Sequence, residues 1–380
     1  MHRLSAVILM MAMYACGLDL PSVSSRVEPI QTDADPDPGI TLSQSASTSI
    51  PTAVSSSASQ FQPFGEVTVT IDFEVNGAGD NIDTIAFWEA PTPNDSLMFV
   101  TSKDIDLVEV WRYPFDSSND QLRPLEHRCV NRGTNGVVVD QEEDILYVSI
   151  RRSRNVCVFS LPDLQHIDTF SSGVTYATEP NLALLGLTNG QKQLYVSDTN
   201  IVYIHDAASG RKLGQFIPTH ASVEALVGDS YNQILFIPDE HGNSGIYPHT
   251  PDGSPYTREG KSRFGENVFS DDAEGILIYT CPADGRSDNG EGLIVASDQV
   301  TNQSTGNDYE VFDRQSWASL GRIKLEDTQG RFVYNTDGIA STQQSSADYP
   351  LGLFAAINND TSTVGVGWDK ILAATGLSCD

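Results

Sequence analysis

Ile145-Leu146-Tyr147-Val148, a polar turn, then Val156-Cys157-Val158-Phe159 is the stretch whose reading decides the fold. Each run is short, apolar and rich in branched or aromatic residues, which favours a buried strand over a helix. The same pair recurs along the chain. Leu97-Met98-Phe99-Val100 precedes Val108-Glu109-Val110-Trp111, and Leu194-Tyr195-Val196-Ser197 precedes Ile201-Val202-Tyr203-Ile204. Ile234-Leu235-Phe236-Ile237 precedes Gly245-Ile246-Tyr247, and Leu293-Ile294-Val295-Ala296 precedes Tyr309-Glu310-Val311-Phe312. A sixth copy starts at Leu353-Phe354-Ala355-Ala356, with an irregular partner over 364–368. Anchored on Val100, Val148, Val196, Ile237, Val295 and Ala355, the copies are spaced 48, 48, 41, 58 and 60 residues apart. Paired strands at such a period predict an all-β, six-bladed β-propeller, in which each sheet is buried against its neighbours around an axis.

Outward from the repeats, Val67, Val69, Ile71, Phe73 and Val75 alternate with other residues as in one half-buried strand. Helical periodicity is confined to the last residues, about 368–377. The region 63–380 is therefore read as the folded domain. Before it, His2 and Arg3 lead into an apolar run too short to span a bilayer, so residues 1–15 read as an export signal. Met13-Tyr14-Ala15-Cys16 resembles a bacterial lipobox, which makes Cys16 the expected lipidation site and the only expected attachment to a membrane. Plain secretion is the other reading. Residues 16–62 form a Ser/Pro-rich stalk: between Pro21 and Gln60 there are eleven Ser, five Pro and no aromatic residue. Such a segment cannot bury enough surface to offset its backbone entropy.

Lipidation of Cys16 leaves four of the five cysteines. Cys129 with Cys157 and Cys281 with Cys379 is the preferred pairing among the three that four cysteines allow. No C-x-x-C pair is present and the seven histidines are scattered, so the sequence offers no zinc signature. No nucleophile elbow and no phosphate-cradling Gly-rich loop appears either.

The chain carries 51 Asp+Glu against 22 Lys+Arg, a formal charge of −29. A surface so acidic argues against non-specific binding to nucleic acid or to anionic lipid. Asp83, Glu179, Glu224, Asp239, Glu274 and Asp337 share one phase of the repeat, near strand beginnings or ends. Equivalent phases of successive blades converge on one face near the axis. Carboxylates brought together there repel one another unless a cation intervenes, and an all-oxygen set suits Ca²⁺.

Asp271-Asp272-Ala273-Glu274-Gly275-Ile276-Leu277-Ile278-Tyr279, Leu293-Ile294-Val295-Ala296-Ser297-Asp298-Gln299 and Tyr309-Glu310-Val311-Phe312-Asp313-Arg314 resemble the β-propeller phytases. So do Asn335-Thr336-Asp337-Gly338-Ile339 and Tyr349-Pro350-Leu351-Gly352-Leu353-Phe354, in the family's order. The resemblance implies a monomeric, Ca²⁺-dependent phosphomonoester hydrolase acting on phytate (myo-inositol hexakisphosphate). In that family calcium ions bridge acidic residues and substrate phosphates and activate water. The implied roles are catalytic for Glu274, Glu224 and Asp337. Metal ligation falls to Asp83, Glu224, Asp239, Glu274, Gln299 and Asp337. Substrate binding falls to Lys103, Glu179 and either Arg151 or Arg152.

Two departures stand out. The family's Asp-Asp-Pro-Ala-Ile-Trp stretch is Asp83-Thr84-Ile85-Ala86-Phe87-Trp88 here, and its Glu-x-Tyr-Gly turn is Glu179-Pro180-Asn181-Leu182. A carboxylate and a tyrosine are thereby lost. The alternative expectation is accordingly a non-catalytic calcium-binding propeller acting as a cell-surface binding module.

Overall fold

In a computed structural model, residues 61–79, 81–175, 179–218, 222–240, 245–281 and 288–379 are described. The export segment 1–15, Cys16 and nearly all of the stalk lie outside them.

Six antiparallel sheets follow one another along the chain. Blade 1 is Ile82–Trp88, Leu97–Ser102 and Leu107–Arg112; blade 2 is Thr134–Asp140, Ile145–Ile150, Asn155–Ser160 and His166–Ser171. Blade 3 is Leu182–Gly186, Lys192–Asp198, Ile201–Asp206 and Lys212–Phe216; blade 4 is Val227–Asp229, Ile234–Pro238 and Ile246–His249. Blade 5 contains Ile276–Cys281, Glu291–Asp298, Asp308–Asp313 and Ser319–Glu326, and blade 6 contains Ile339–Thr342, Leu353–Asn358 and Ser362–Gly367. The first strands of consecutive blades touch in order, and that of blade 6 touches that of blade 1, so the ring closes. The protein is an all-β, six-bladed propeller.

The six sequence anchors all fall on the second strand of their blades. That strand and the third are buried on both faces, as in Leu97–Ser102 and Asp308–Asp313, because each blade is sandwiched between two others. The core is accordingly divided into six clusters, one per blade interface. Phe99, Val110, Leu146 and Phe159 lie between blades 1 and 2, and Ile85, Met98, Ala355 and Ile357 between blades 6 and 1. Polar side chains lace the blades at the end opposite the site. Gln141 Nε2 donates to the Phe87 carbonyl, Gln233 Nε2 to that of Gly186, and Gln343 Nε2 to that of Thr280.

The alternation over 67–75 was expected to form one strand and instead forms two. Gly65–Thr70 runs parallel to Ser319–Glu326 as a fifth strand of blade 5, whereas Phe73–Asn76 pairs antiparallel with Ser362–Gly367 in blade 6. Period-two alternation fixes which side chains face inward, not which strand lies alongside. By changing partners at Ile71-Asp72 the segment joins the last two blades and covers their edges. The helix expected near the C-terminus spans Trp368–Thr375 and buries Trp368, Ile371 and Leu372 against blades 5 and 6. Gly376 ends it at φ 69°, a left-handed conformation that glycine adopts without strain. The disulfides pair Cys129 with Cys157 and Cys281 with Cys379; the second pins the C-terminal tail to the first strand of blade 5.

Candidate functional site

The first strand of every blade begins at the same end of the axis, so residues at or just before it meet there. Asp83 and Asn135 lie in the first strands of blades 1 and 2, Asn181 and Glu224 precede those of blades 3 and 4, and Glu274 and Asp337 precede those of blades 5 and 6. With Glu179, these residues line one cavity of about 10 Å³, room for roughly a single water or ion. Below it the axis widens into a channel of about 540 Å³, walled by residues such as Ile85, Val137, Leu182, Ala225 and Ile276.

Charge is not balanced evenly across the cluster. On one side Lys103, in the turn after Leu97–Ser102, places Nζ 3.0 Å from Asp83, 2.7 Å from Glu179 and 3.7 Å from Asp337. Burial alone would lower its pKa, but Asp83, Asp337 and Glu179 outweigh that and hold the ammonium charged, far above its usual range. Glu179 bridges onward to Arg151, whose Nη1 is 3.0 Å away on the more open side. On the other side, ligand oxygens of Glu224, Glu240 and Glu274 lie within 4.8 Å of one another, and no ion pair reaches them among the described residues. Burial, then Glu240, Glu179 and Asp83, push the Glu224 carboxyl up to about 8. Glu274 and Asp337 are raised as well, chiefly by burial and then by carboxylate neighbours.

Neutral groups complete the site. Gln299 Nε2 donates to both Glu274 (2.9 Å) and Asp337 (2.5 Å), locking the two acids together. Asn135 Nδ2 donates to Asp83 at 3.0 Å, and its buried Oδ1 has no hydrogen-bond partner. The two departures from the resembled family are also on the axis. Thr84 Oγ1 donates to Asp83 at 3.0 Å, and Asn181 Nδ2 donates to the Glu224 carbonyl at 2.7 Å. The donor set fits a hard divalent cation: Glu224 and Glu274, which no ion pair reaches among the described residues, line one small cavity with Asn135, whose buried amide oxygen is unsatisfied, and Glu240 lies beside them.

Of the expected residues, Asp83, Glu179, Glu224, Glu274, Gln299 and Asp337 come together, with Lys103 and Arg151 beside them. Arg152 does not join them; its Nη1 pairs with Asp106 at 2.9 Å on the exposed surface. Lys103, expected to contact phosphate, has a side chain only 7% exposed and is engaged by three carboxylates. Asp239 does not line the cavity. It accepts from the Ser222 backbone N–H at 3.2 Å, as Asp198 accepts from Thr175 and Asp298 from Ser270 and Asp271. These three aspartates stand at or just after the end of the second strand in blades 3, 4 and 5 and hold the loop before the first strand. Alignment of Ser197-Asp198, Pro238-Asp239 and Ser297-Asp298 carries that structural role in the repeat itself. The sequence reading missed Glu240, the next residue, and Asn135, whose neutral amide gives no charge signal.

No protein-family model and no curated protein sequence matches the chain. Solved structures that are similar include U3-55K, at 14% identity and a TM-score of 0.48, over 76% of this chain and 78% of that one. The WD40 repeats of RRP9 are similar at 14% identity and a TM-score of 0.49, over 76% of this chain and 77% of that one.

Proposed function

We propose that the protein is a calcium-dependent phosphomonoester hydrolase acting on phytate, exported and held at a membrane, if at all, through a lipid on Cys16. The observation that carries this reading is the axial cluster, where uncompensated Glu224, Glu240 and Glu274 lie beside Asp337 and Gln299, flanked by Lys103 and Arg151. Bound calcium would supply positive charge for a polyanionic substrate and lower the pKa of a water. Glu224, Glu240 and Glu274 would hold it, and Gln299 orients the carboxylates of Glu274 and Asp337. Arg151, on the open side, would meet a phosphate oxygen and stabilise charge on the transferring phosphoryl group. Lys103 fixes Asp83, Glu179 and Asp337 and balances their charge.

The test is phosphate release from phytate by the EDTA-treated protein with and without added CaCl₂. Release abolished by chelation and restored by calcium supports the reading; no release at saturating calcium, from phytate or simpler phosphate esters, sinks it. The second reading is a non-catalytic calcium-binding module. It is favoured by one observation: Lys103 already neutralises part of the cluster, and Thr84 and Asn181 put neutral groups on the axis. Calcium-dependent stabilisation without hydrolysis of any phosphate ester decides for it.

A further inference from the structure

At the outer part of blade 2, away from the axis, three metal-ligating side chains converge and a fourth is joined to one of them. His127 and Cys129 come from the loop before the blade, Cys157 from its third strand and His166 from its fourth. The imidazoles of His127 and His166 are stacked with centroids 4.2 Å apart, and both pack edge-on against Phe159. Ligand atoms of His127, Cys129 and His166 all lie within 4.8 Å of one another. Thr169 Oγ1 shows how tightly they converge: it is 2.7 Å from His166 Nε2 and 3.2 Å from Cys129 Sγ. Cys157, opposite Thr169 in the strand register, is bonded to Cys129.

We propose that this corner is a thiol-gated zinc site, in which the Cys129–Cys157 disulfide and a Cys₂His₂-bound zinc ion are alternative states of the same four residues. A dithiol or phosphine reductant delivers two electrons, the S–S bond breaks, and each sulfur takes up one proton. On binding Zn²⁺ both thiols release that proton, and two thiolates with two neutral imidazoles make the tetrahedral S₂N₂ set that selects zinc rather than calcium. Zn–S bonds near 2.3 Å require the sulfurs to part to about 3.8 Å. The site shares no residue with the axial cluster, so it stands or falls apart from the proposed hydrolase activity.

The test uses Co²⁺ as a spectroscopic stand-in for zinc. Protein reduced with a phosphine should take up one Co²⁺ per chain with sulfur-to-cobalt charge-transfer absorption, which Zn²⁺ then displaces; the oxidised protein should show none. His127→Asn/His166→Asn, at positions that are not core, should lose the band while retaining its far-ultraviolet circular dichroism. No band in reduced wild type overturns the proposal. So does an undiminished band in the double variant, which would assign it to other thiols. A second readout guards against unfolding on reduction: zinc should raise the Tm of the reduced wild type and not of the double variant. A Tm unmoved by zinc in both overturns the proposal.

Discussion

Two trios of buried or half-buried carboxylates lie in this propeller, and what surrounds each sets them apart. On the axis are Glu224, Glu240 and Glu274; inside blade 5 are Asp298, Asp308 and Glu310. The blade 5 trio is already served. Arg322 Nη1 is 3.1 Å and Lys324 Nζ 2.8 Å from Asp308, and Arg322 Nε is 3.4 Å from Glu310. Asp298 accepts two backbone N–H groups and the Ser270 hydroxyl. Burial nonetheless pushes the Glu310 carboxyl up to about 8, the same range as Glu224. Carboxylate convergence and a raised pKa are thus common to both trios, and neither marks a cation site by itself. The difference lies in the counter-charge: blade 5 supplies it to its trio from its own fourth strand, whereas among the described residues no ion pair reaches Glu224, Glu240 or Glu274.

The largest expected effect is on the axial trio. Calcium at a thousand times its Kd should stabilise the protein by about 4 kcal/mol, read as a rise in Tm that EDTA reverses. Glu274→Gln should abolish most of that rise, yet raise the Tm of the metal-free protein, because a neutral amide is spared the cost that burial and neighbouring carboxylates impose on the acid. If the substitution leaves the calcium response intact, the axial trio is not the site. Under the hydrolase reading, the same variant should lose about 100-fold or more in kcat/KM for phytate.

Next in size is an attempt to make blade 5 resemble the axis. Arg322→Ala/Lys324→Ala strips Asp308 and Glu310 of their cations and should cost about 2 kcal/mol, less than for fully buried pairs because Arg322 is partly exposed. Calcium should then recover part of the loss. Urea denaturation with and without CaCl₂ measures both; a loss that calcium does not touch would show that carboxylate geometry in blade 5 is unsuited to the ion even without its cations.

The pH dependence sharpens the contrast within the axis. The Glu224 carboxyl has a folded pKa of about 8, above its ordinary value of 4.5. Between those values the folded chain holds the proton more tightly than the unfolded chain. The associated stability is complete below pH 4.5 and lost as pH rises through 8. Calcium reverses the trend by replacing the proton, so its stabilising effect should grow from pH 5 to pH 9. Isothermal titration at several pH values checks this, and an affinity that falls as pH rises would contradict it.

The smallest difference is between neighbours. Arg152→Ala removes an exposed pair and should change stability by about 0.5 kcal/mol or less, with no effect on phosphate binding. Arg151→Ala should weaken phosphate or phytate binding, since its guanidinium is the one joined to Glu179 at the cluster. Equal effects from the two would remove the assignment of Arg151 to the site.

Much of this architecture was legible before any coordinates. The strand pairs at 97–111, 145–159, 194–204, 234–247, 293–312 and 353–368 carry their own apolar signal, and six such pairs leave few ways to bury every face. The convergence of Asp83, Glu224, Glu274 and Asp337 followed from their common phase in the repeat. The phase could not distinguish Asp239 from Glu240, because adjacent residues at a strand end point in different directions and only the loop held by Asp239 decides which one turns to the axis. Nor could it show that Lys103 would pair with three carboxylates at once, since ion pairing depends on residues brought together from blades 1, 3 and 6.

Local pattern, then, was legible in the sequence alone: the two central strands of each blade, their inward faces, the number of blades and the end of the axis where acids gather, because each depends on neighbours along the chain. Tertiary structure decided whatever depends on neighbours in space. It split 65–76 between two blades, gave blade 5 its own counter-ions and, among the described residues, left the axial trio without an ion pair. It also brought His127, Cys129, Cys157 and His166 to one corner from segments with no metal spacing between them. Charge balance and metal ligation act over a few ångströms whatever the sequence separation, and for that reason they appear only once the chain has closed its ring.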